Sequence, residues 1–157
     1  MKVFEHRTLE MQNVLSYRSK MTQQELQYKS QEIEKFLEET GAKRAANTVT
    51  TTFSVEQEPN GPVMDIEILI PLDREVKLPL GYTWKPHFLL TNALMIQHIG
   101  NPASLQSTID ELNAYILEHQ LTPISTGYNV TMKAARTPLE IDSMEVDVYV
   151  GISPNLL

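Results

Sequence analysis

The segment Met64–Pro71, MDIEILIP, recurs near the C-terminus as Met144–Gly151, MEVDVYVG, 80 positions later. Both segments alternate, and a β-strand sends successive side chains to opposite faces. Glu67 in the first copy and Asp147 in the second therefore lie on the face opposite the rows of isoleucine and valine. Because a carboxylate at the middle of a strand is costly to bury dry and unpaired, we expect this face to border water or a ligand.

The two segments belong to a longer repeat. Alternating stretches predict a first strand at residues 3–19 and an equivalent strand that starts at Phe88, shifted by 79 positions. An amphipathic helix and two further strands follow each of them. The helix stripes match at the same shift, except at Ser30, and consist of Leu26, Ile33 and Leu37 in the first helix and Leu105, Ile109, Leu112 and Ile116 in the second. A register kept over this length indicates a tandem duplication of one strand-helix-strand-strand (βαββ) repeat.

Local signals mark the ends of several elements. Thr22 and Glu25 have the spacing of a capping box, in which each side chain satisfies a backbone N–H at the start of a helix. Gly41 is suited to the left-handed position that ends the first helix. Residues 59–61, PNG, predict a hairpin turn between the second and third strands.

These elements predict an α+β fold in one domain, residues 1–157, a length that most often forms a single body. The first βαββ repeat occupies residues 1–71 and the second occupies 88–157. Residues 72–87 mix prolines and a glycine with charges, so we predict that they connect the repeats. We expect a concave, mostly antiparallel sheet with the helices packed on its back.

Composition excludes several classes of function. A net charge of −7 makes nucleic acid an improbable partner and suits a cationic or neutral ligand. The absence of cysteine removes disulfides, thiolate nucleophiles and cysteine metal sites. The N-terminus lacks the apolar run of a signal peptide, and no eighteen apolar residues occur in succession, so we expect a cytoplasmic protein without a membrane partner.

Motifs for catalysis, metals and cofactors are missing from the sequence. The four histidines show no ligand spacing, no Gly-x-Ser-x-Gly elbow occurs, and the six glycines form no phosphate-binding loop. We therefore predict no catalytic residue, no metal site and no cofactor.

Two short motifs suggest a family. Residues 98–100, HIG, end a strand just before a helix, and residues 67–71, EILIP, have the form Glu-x-x-x-Pro, with residues 147–151, DVYVG, as their counterpart. Over essentially its whole length the chain resembles the GyrI-like small-molecule-binding family, the effector-binding domain of bacterial multidrug-responsive transcription regulators, which also occurs as a stand-alone protein. The first predicted strand begins within a few residues of Met1, so the resemblance implies a stand-alone member that does not read DNA itself.

The resemblance also implies a pseudo-twofold axis between the repeats and a cleft that receives lipophilic cations. It assigns the acidic role to Glu67 and Asp147 and an aromatic wall to Tyr149. The only tryptophan, Trp84, either fills a gap between the halves or walls the ligand site. The chain departs from the family pattern at Asp147, where a glutamate is usual, and at Gly151, where a proline is expected.

The sequence is compatible with three functions. The favoured one is binding of a small, cationic or aromatic organic molecule in the cleft. The alternative is a protein-interaction module that docks a partner, or a second copy, through the groove or a sheet edge. A hydrolase of strained electrophilic small molecules, with Glu67 and Asp147 as acid and base, comes third. Structurally, both carboxylates could instead line a wet groove or pair with a nearby Arg or Lys.

Overall fold

A computed structural model describes residues 2–155. Its described residues form an α+β fold with antiparallel strand pairs and few helices. The elements are β1 (Val3–Met21), α1 (Gln23–Thr40), β2 (Val49–Glu58), β3 (Gly61–Pro71), β4 (Thr83–Ile99), α2 (Leu105–Glu118), β5 (Tyr128–Lys133) and β6 (Glu145–Gly151), with short 3₁₀ helices at Pro102–Ser104 and Pro138–Ser143. No helix within residues 2–155 is long and apolar enough to cross a membrane.

The chain divides into two compact units. The first unit is Met11–Phe88, and the second unit combines the described residues up to Glu10 with those from Leu89 onward. The division does not follow the sequence repeats, because β1 and β4 are long strands and each contributes to both units. β4 begins at Thr83, within the segment expected to be a connection.

In the first unit the strands lie in the order β1-β3-β2. Ile68 of β3 pairs with Tyr17 of β1 and with Thr50 of β2. The isoleucines of β3 alternate along the strand and therefore share one face of the three strands. This face packs on α1 and forms a core of Leu15, Ile33, Leu37, Ala42, Ile68, Ile70 and Leu72. The predicted stripe of the first helix is thereby confirmed.

The ends of α1 confirm the local sequence signals. Thr22 accepts a hydrogen bond from the Glu25 backbone and the Glu25 side chain accepts one from the Thr22 backbone, which is the complete capping box. Gly41 ends the helix at φ +73°, and its N–H donates to the Leu37 carbonyl. These contacts satisfy backbone groups that the helix itself leaves without a partner.

In the second unit the strands lie in the order β4-β6-β5. Their apolar face packs on α2, which confirms the stripe of the second helix. The buried residues of this core are Leu94, Ile96, Leu112, Ile116, Val146, Val148, Val150 and Ile152. Each unit therefore has its own hydrophobic core, formed by one helix on one face of three strands.

The expected simple alternation of β1 is interrupted at Asn13, which has φ +54°. Beyond it Val14, Leu15 and Ser16 are buried in succession, so residues on both faces of the strand lose water. Asn92 in β4 also has positive φ, +51°. Asparagine tolerates this left-handed conformation better than most residues. The alternation of polar and apolar residues carries no information on φ, so it did not reveal the interruption.

Candidate functional site

The first predicted carboxylate, Glu67, lies on β3 and faces away from the core of the first unit. Only 5% of it is exposed. Its Oε2 accepts a hydrogen bond from the Ser16 hydroxyl at 2.5 Å and is 2.6 Å from the Lys85 ammonium. Since a buried charge requires partners, these two side chains explain how Glu67 is accommodated.

Arg18 stands directly opposite Glu67 in the register of β1 and β3 but binds elsewhere. Its guanidinium donates to both carboxylate oxygens of Asp65, at 3.0 and 2.9 Å. The same group lies 3.7 Å from the centre of the Phe53 ring. The hydrogen bonds from Arg18 hold the pKa of the Asp65 carboxyl below its ordinary value. Lys85 thus forms an ion pair with Glu67, while Arg18 forms one with Asp65.

The second predicted carboxylate, Asp147, lies on β6 with Gln97 and Val130 as its neighbours in the register. It is 7% exposed. Desolvation raises the pKa of Asp147, and the nearby charge of Glu145 raises it further, while a hydrogen bond with Gln97 lowers it. Within residues 2–155, no Lys, Arg or His forms an ion pair with Asp147. The carboxylate of the second unit is thus buried without a cationic partner.

A hollow of about 110 Å³ opens beside Asp147. Glu145 adds a second carboxylate to its lining, and Ile99 and Met132 add exposed apolar side chains. The complete lining is Gln97, His98, Ile99, Met132, Glu145 and Asp147. Two negative charges and an apolar rim give this hollow the chemistry of a site for an organic cation.

Tyr149 follows Asp147 by two residues on β6 and so lies on the same strand face. It is half-buried, with Met95 and Tyr128 as its neighbours in the register. Burial raises the pKa of Tyr149, the charge of Asp147 raises it further, and Arg7 lowers it. The aromatic ring predicted for the site therefore shares the electrostatic environment of Asp147.

Trp84 lies in β4, half-buried, and packs against the core cluster of the first unit. Its neighbour Lys85 points to the other face of the strand, toward Glu67. Trp84 thus contacts the core of the first unit.

The His-x-Gly motif has a structural explanation within the second unit. The two ring nitrogens of His98 lie 2.7 Å from the Thr108 hydroxyl and 3.0 Å from the Asn101 carbonyl, so the ring joins β4 to the start of α2. Gly100 has φ +136°, which favours glycine, and its N–H donates to the Met144 carbonyl.

Gly151 differs from the proline of the family pattern for a steric reason. An added Cβ would lie 2.7 Å from the Leu90 side chain and 3.2 Å from the Ser125 hydroxyl. The Gly151 N–H also donates to that hydroxyl at 2.8 Å, and proline has no N–H. A larger residue at this position would therefore require the Leu90 side chain to shift, and proline would also lose the hydrogen bond to Ser125.

Sequence reasoning did not find Ser16, Lys85 or Gln97, the side chains that surround the two carboxylates. Alternation predicted a face for Ser16 but no partner, because the first strand was aligned through Asn13. Lys85 was assigned to the connection because prolines surround it. Its position three residues before the strand predicted to start at Phe88 offered no signal of contact with Glu67.

A second hollow in the second unit, of about 280 Å³, is lined by Glu5, His6, Asn92 and Ser153 together with apolar side chains. The Glu5 carboxylate accepts a hydrogen bond from the Tyr115 hydroxyl at 2.5 Å. This hollow is larger than the one at Asp147, but the side chain of its carboxylate, Glu5, is 43% exposed and so is not desolvated as Asp147 is. Within residues 2–155, no cluster of three or more His, Asp or Glu residues could hold a metal ion.

No protein-family model matches the sequence, and no curated protein matches it either. Solved structures, however, have the same fold. The C-terminal domain of EcmrR is 12% identical with a TM-score of 0.74, over 98% of this chain and 99% of that domain. EcmrR in a complex with DNA is 13% identical to this chain, with a TM-score of 0.75. The match covers 96% of this chain, which spans 57% of the length of the EcmrR chain.

Two further proteins are similar in structure. A hydrolase from Listeria innocua is 11% identical with a TM-score of 0.65, over 97% of this chain and 91% of that one. SAV2435, solved bound to tetraphenylphosphonium, is 10% identical with a TM-score of 0.51, over 98% of this chain and 93% of that one. At these identities the likeness concerns the fold, so this chain has the fold of the EcmrR C-terminal domain.

Proposed function

We propose that this protein is a GyrI-like small-molecule-binding protein that takes an organic cation at Asp147. The observation that carries the proposal is the burial of this carboxylate without an ion pair among the described residues. In the first unit the equivalent carboxylate has its own lysine. Of these two carboxylates, Asp147 is the one without an ion pair among residues 2–155.

The electrostatic reason is the cost of burying a charge. Desolvation raises the pKa of Asp147 because the environment disfavours its ionised form, and Glu145 adds to that effect. A cation brought by a ligand would favour the ionised form and offset part of the desolvation. Affinity for a cation should consequently increase as the pH rises through the raised pKa of Asp147.

The size of the hollow indicates which part of a ligand it holds. At about 110 Å³ it is smaller than the roughly 300–1,000 Å³ of common ligand sites. We infer that it accepts a cationic head group, while the rest of the ligand lies over the exposed side chains of Ile99 and Met132. Tyr149 lies on the same strand face as Asp147 but outside this lining, so it would contact the ligand beyond the head group.

The structural comparisons support small-molecule binding in general. SAV2435 shares the fold and was solved with a lipophilic cation, tetraphenylphosphonium. Its sequence is only 10% identical, so the ligand of this protein is inferred from the residues around Asp147 and not from that likeness.

We also infer that the two βαββ repeats arose by duplication. Both have the same order of elements, with the last strand of each repeat in the middle of its three strands. Asn13 and Asn92, which the 79-residue shift superimposes, both have positive φ. The carbonyl of each accepts a hydrogen bond from the residue that follows β3 or β6, Leu72 and Ile152 respectively. These parallels support the inference.

The test is a calorimetric titration with benzyltrimethylammonium and with tetraphenylphosphonium. A neutral isostere, with carbon in place of the ammonium nitrogen, is the ligand control. We expect the cations to bind and to raise the melting temperature, since a ligand at about a hundred times its Kd stabilises the folded state by about 2.7 kcal/mol. Asp147→Asn keeps the shape, removes the charge and should weaken binding at least tenfold.

Glu5→Gln is the matched control variant, because Glu5 lines the larger hollow. Binding that Glu5→Gln weakens and Asp147→Asn leaves unchanged would refute the proposed site. A panel in which no cation binds would refute cation binding altogether and favour the alternative of protein docking. Turnover of an electrophilic ester or lactone, lost in both Asp147→Asn and Glu67→Gln, would instead favour the hydrolase.

A further inference from the structure

We propose that Lys85 is a built-in cation that occupies the Glu67 carboxylate and limits the protein to one cation-accepting carboxylate, Asp147. Lys85 is thus a residue that determines ligand specificity. The role of Lys85 at Glu67 is inferred from the geometry of the first unit, and the role of Asp147 rests on the proposed function.

The geometry is that of a salt bridge between a buried acid and a tethered ammonium. Lys85 Nζ lies 2.6 Å from Glu67 Oε2, and the Ser16 hydroxyl donates to the same oxygen at 2.5 Å. The Glu67 side chain is 7% exposed, whereas that of Lys85 is 35% exposed. Lys85 therefore reaches the carboxylate from the solvent side, as a ligand cation would have to do.

The strand register alone does not explain why Lys85 is the cation that contacts Glu67. Arg18 faces Glu67 in the register of β1 and β3, yet its guanidinium binds Asp65 and stacks on Phe53. The arginine thus has partners of its own, and a lysine from β4 contacts the Glu67 carboxylate. A lysine ammonium is a compact point charge on a flexible stem, so it resembles a small cationic ligand more than a guanidinium does.

A free cation that competes for Glu67 must displace this ammonium. A tethered group competes at an effective concentration on the order of millimolar, without losing translational freedom on binding. A ligand of micromolar affinity for an open carboxylate would thus be weakened by a large factor at Glu67. In the second unit the register partner of Asp147 is the neutral Gln97, so no such competitor is present there among the described residues.

The experiment compares Lys85→Met with Lys85→Met/Glu67→Gln, each in the wild-type and the Asp147→Asn background. Calorimetry with benzyltrimethylammonium reports both affinity and stoichiometry. We expect Lys85→Met to bind a second equivalent and to restore binding at least tenfold in the Asp147→Asn background. The added Glu67→Gln substitution should abolish both gains, because it removes the charge that Lys85 had covered.

The outcomes separate this inference from the proposed function. One equivalent bound by both wild type and folded Lys85→Met would overturn the inference and leave Asp147 as the site. Binding by Lys85→Met alone would support the inference and contradict Asp147. If no variant binds, both are contradicted, and Lys85 has only a structural role.

A second measurement applies to the wild-type protein and does not depend on the folding of a variant. The ammonium resonance of Lys85, assigned by its loss in Lys85→Arg, is followed by NMR during titration with the same cation. It should remain unchanged at concentrations that saturate the protein. A shift that reports release of Lys85 from Glu67 would show that the cation displaces it, which would overturn the inference.

Discussion

Leu112→Ala is the substitution whose cost the structure defines most directly. Leu112 lies on α2, is 0% exposed and belongs to the core of the second unit. Removal of a buried Leu side chain loses its transfer free energy and leaves a cavity, which together cost about 2–5 kcal/mol. For a protein of this size each kcal/mol lowers Tm by about 2–4 °C, so we expect a decrease of about 4–20 °C.

The matched control is Leu117→Ala, because Leu117 lies on the same helix and is 81% exposed. It should change the free energy of unfolding by no more than about 0.5 kcal/mol. Ile33→Ala provides the counterpart in α1, where Ile33 is buried in the core of the first unit. Urea unfolding followed by circular dichroism measures all three variants. Equal stabilities of Leu112→Ala and Leu117→Ala would refute the assignment of the stripe as core.

Three further predictions concern Gly151, the two perturbed carboxylates and DNA. Gly151→Ala should cost about 1–3 kcal/mol by overpacking, whereas Gly127→Ala, whose Cβ would have a nearest contact of 3.5 Å, should cost less. The pKa of Asp147 in the folded state is raised above its ordinary 3.8, so the contribution of Asp147 to stability is lost as the pH rises through the folded-state pKa. The pKa of Asp65 is lowered by Arg18, so Asp65 contributes stability above pH 3.8 that is lost as the pH falls through its folded-state pKa. With a net charge of −7, the protein should not retard duplex DNA in a gel-shift assay at physiological salt.

Each of these predictions has a clear contrary result. Equal stabilities of Gly151→Ala and Gly127→Ala would contradict the close contact at Gly151. Urea unfolding across pH 3–7 should give opposite slopes of stability for the two carboxylates when each is compared with its Asn variant; equal slopes would contradict one of the two environments. The Asp65 effect should also decrease in high salt, because its partner Arg18 is 51% exposed and the ion pair is accessible to solvent ions. Salt-sensitive retardation of DNA would contradict the inference that the negative net charge prevents DNA binding.

The helices and strands could be predicted from the sequence because their signals are local. Thr22, Glu25 and Gly41 lie within a few residues of the backbone groups that they satisfy or terminate, so the ends of α1 follow from their chemistry. The alternation around Glu67 and Asp147 likewise requires only the two-residue period of a strand. It predicted that both carboxylates face away from the helix-packed core of their own unit.

Only the tertiary structure decided how the two carboxylates differ. Lys85 is 18 residues from Glu67 in sequence and Ser16 is 51, so no local period connects either of them to that carboxylate. Burial of Asp147 likewise depends on neighbours from β4 and β5, such as Gln97 and Val130. Charge pairing and desolvation depend on distances in space, and folding sets these by bringing distant strands together.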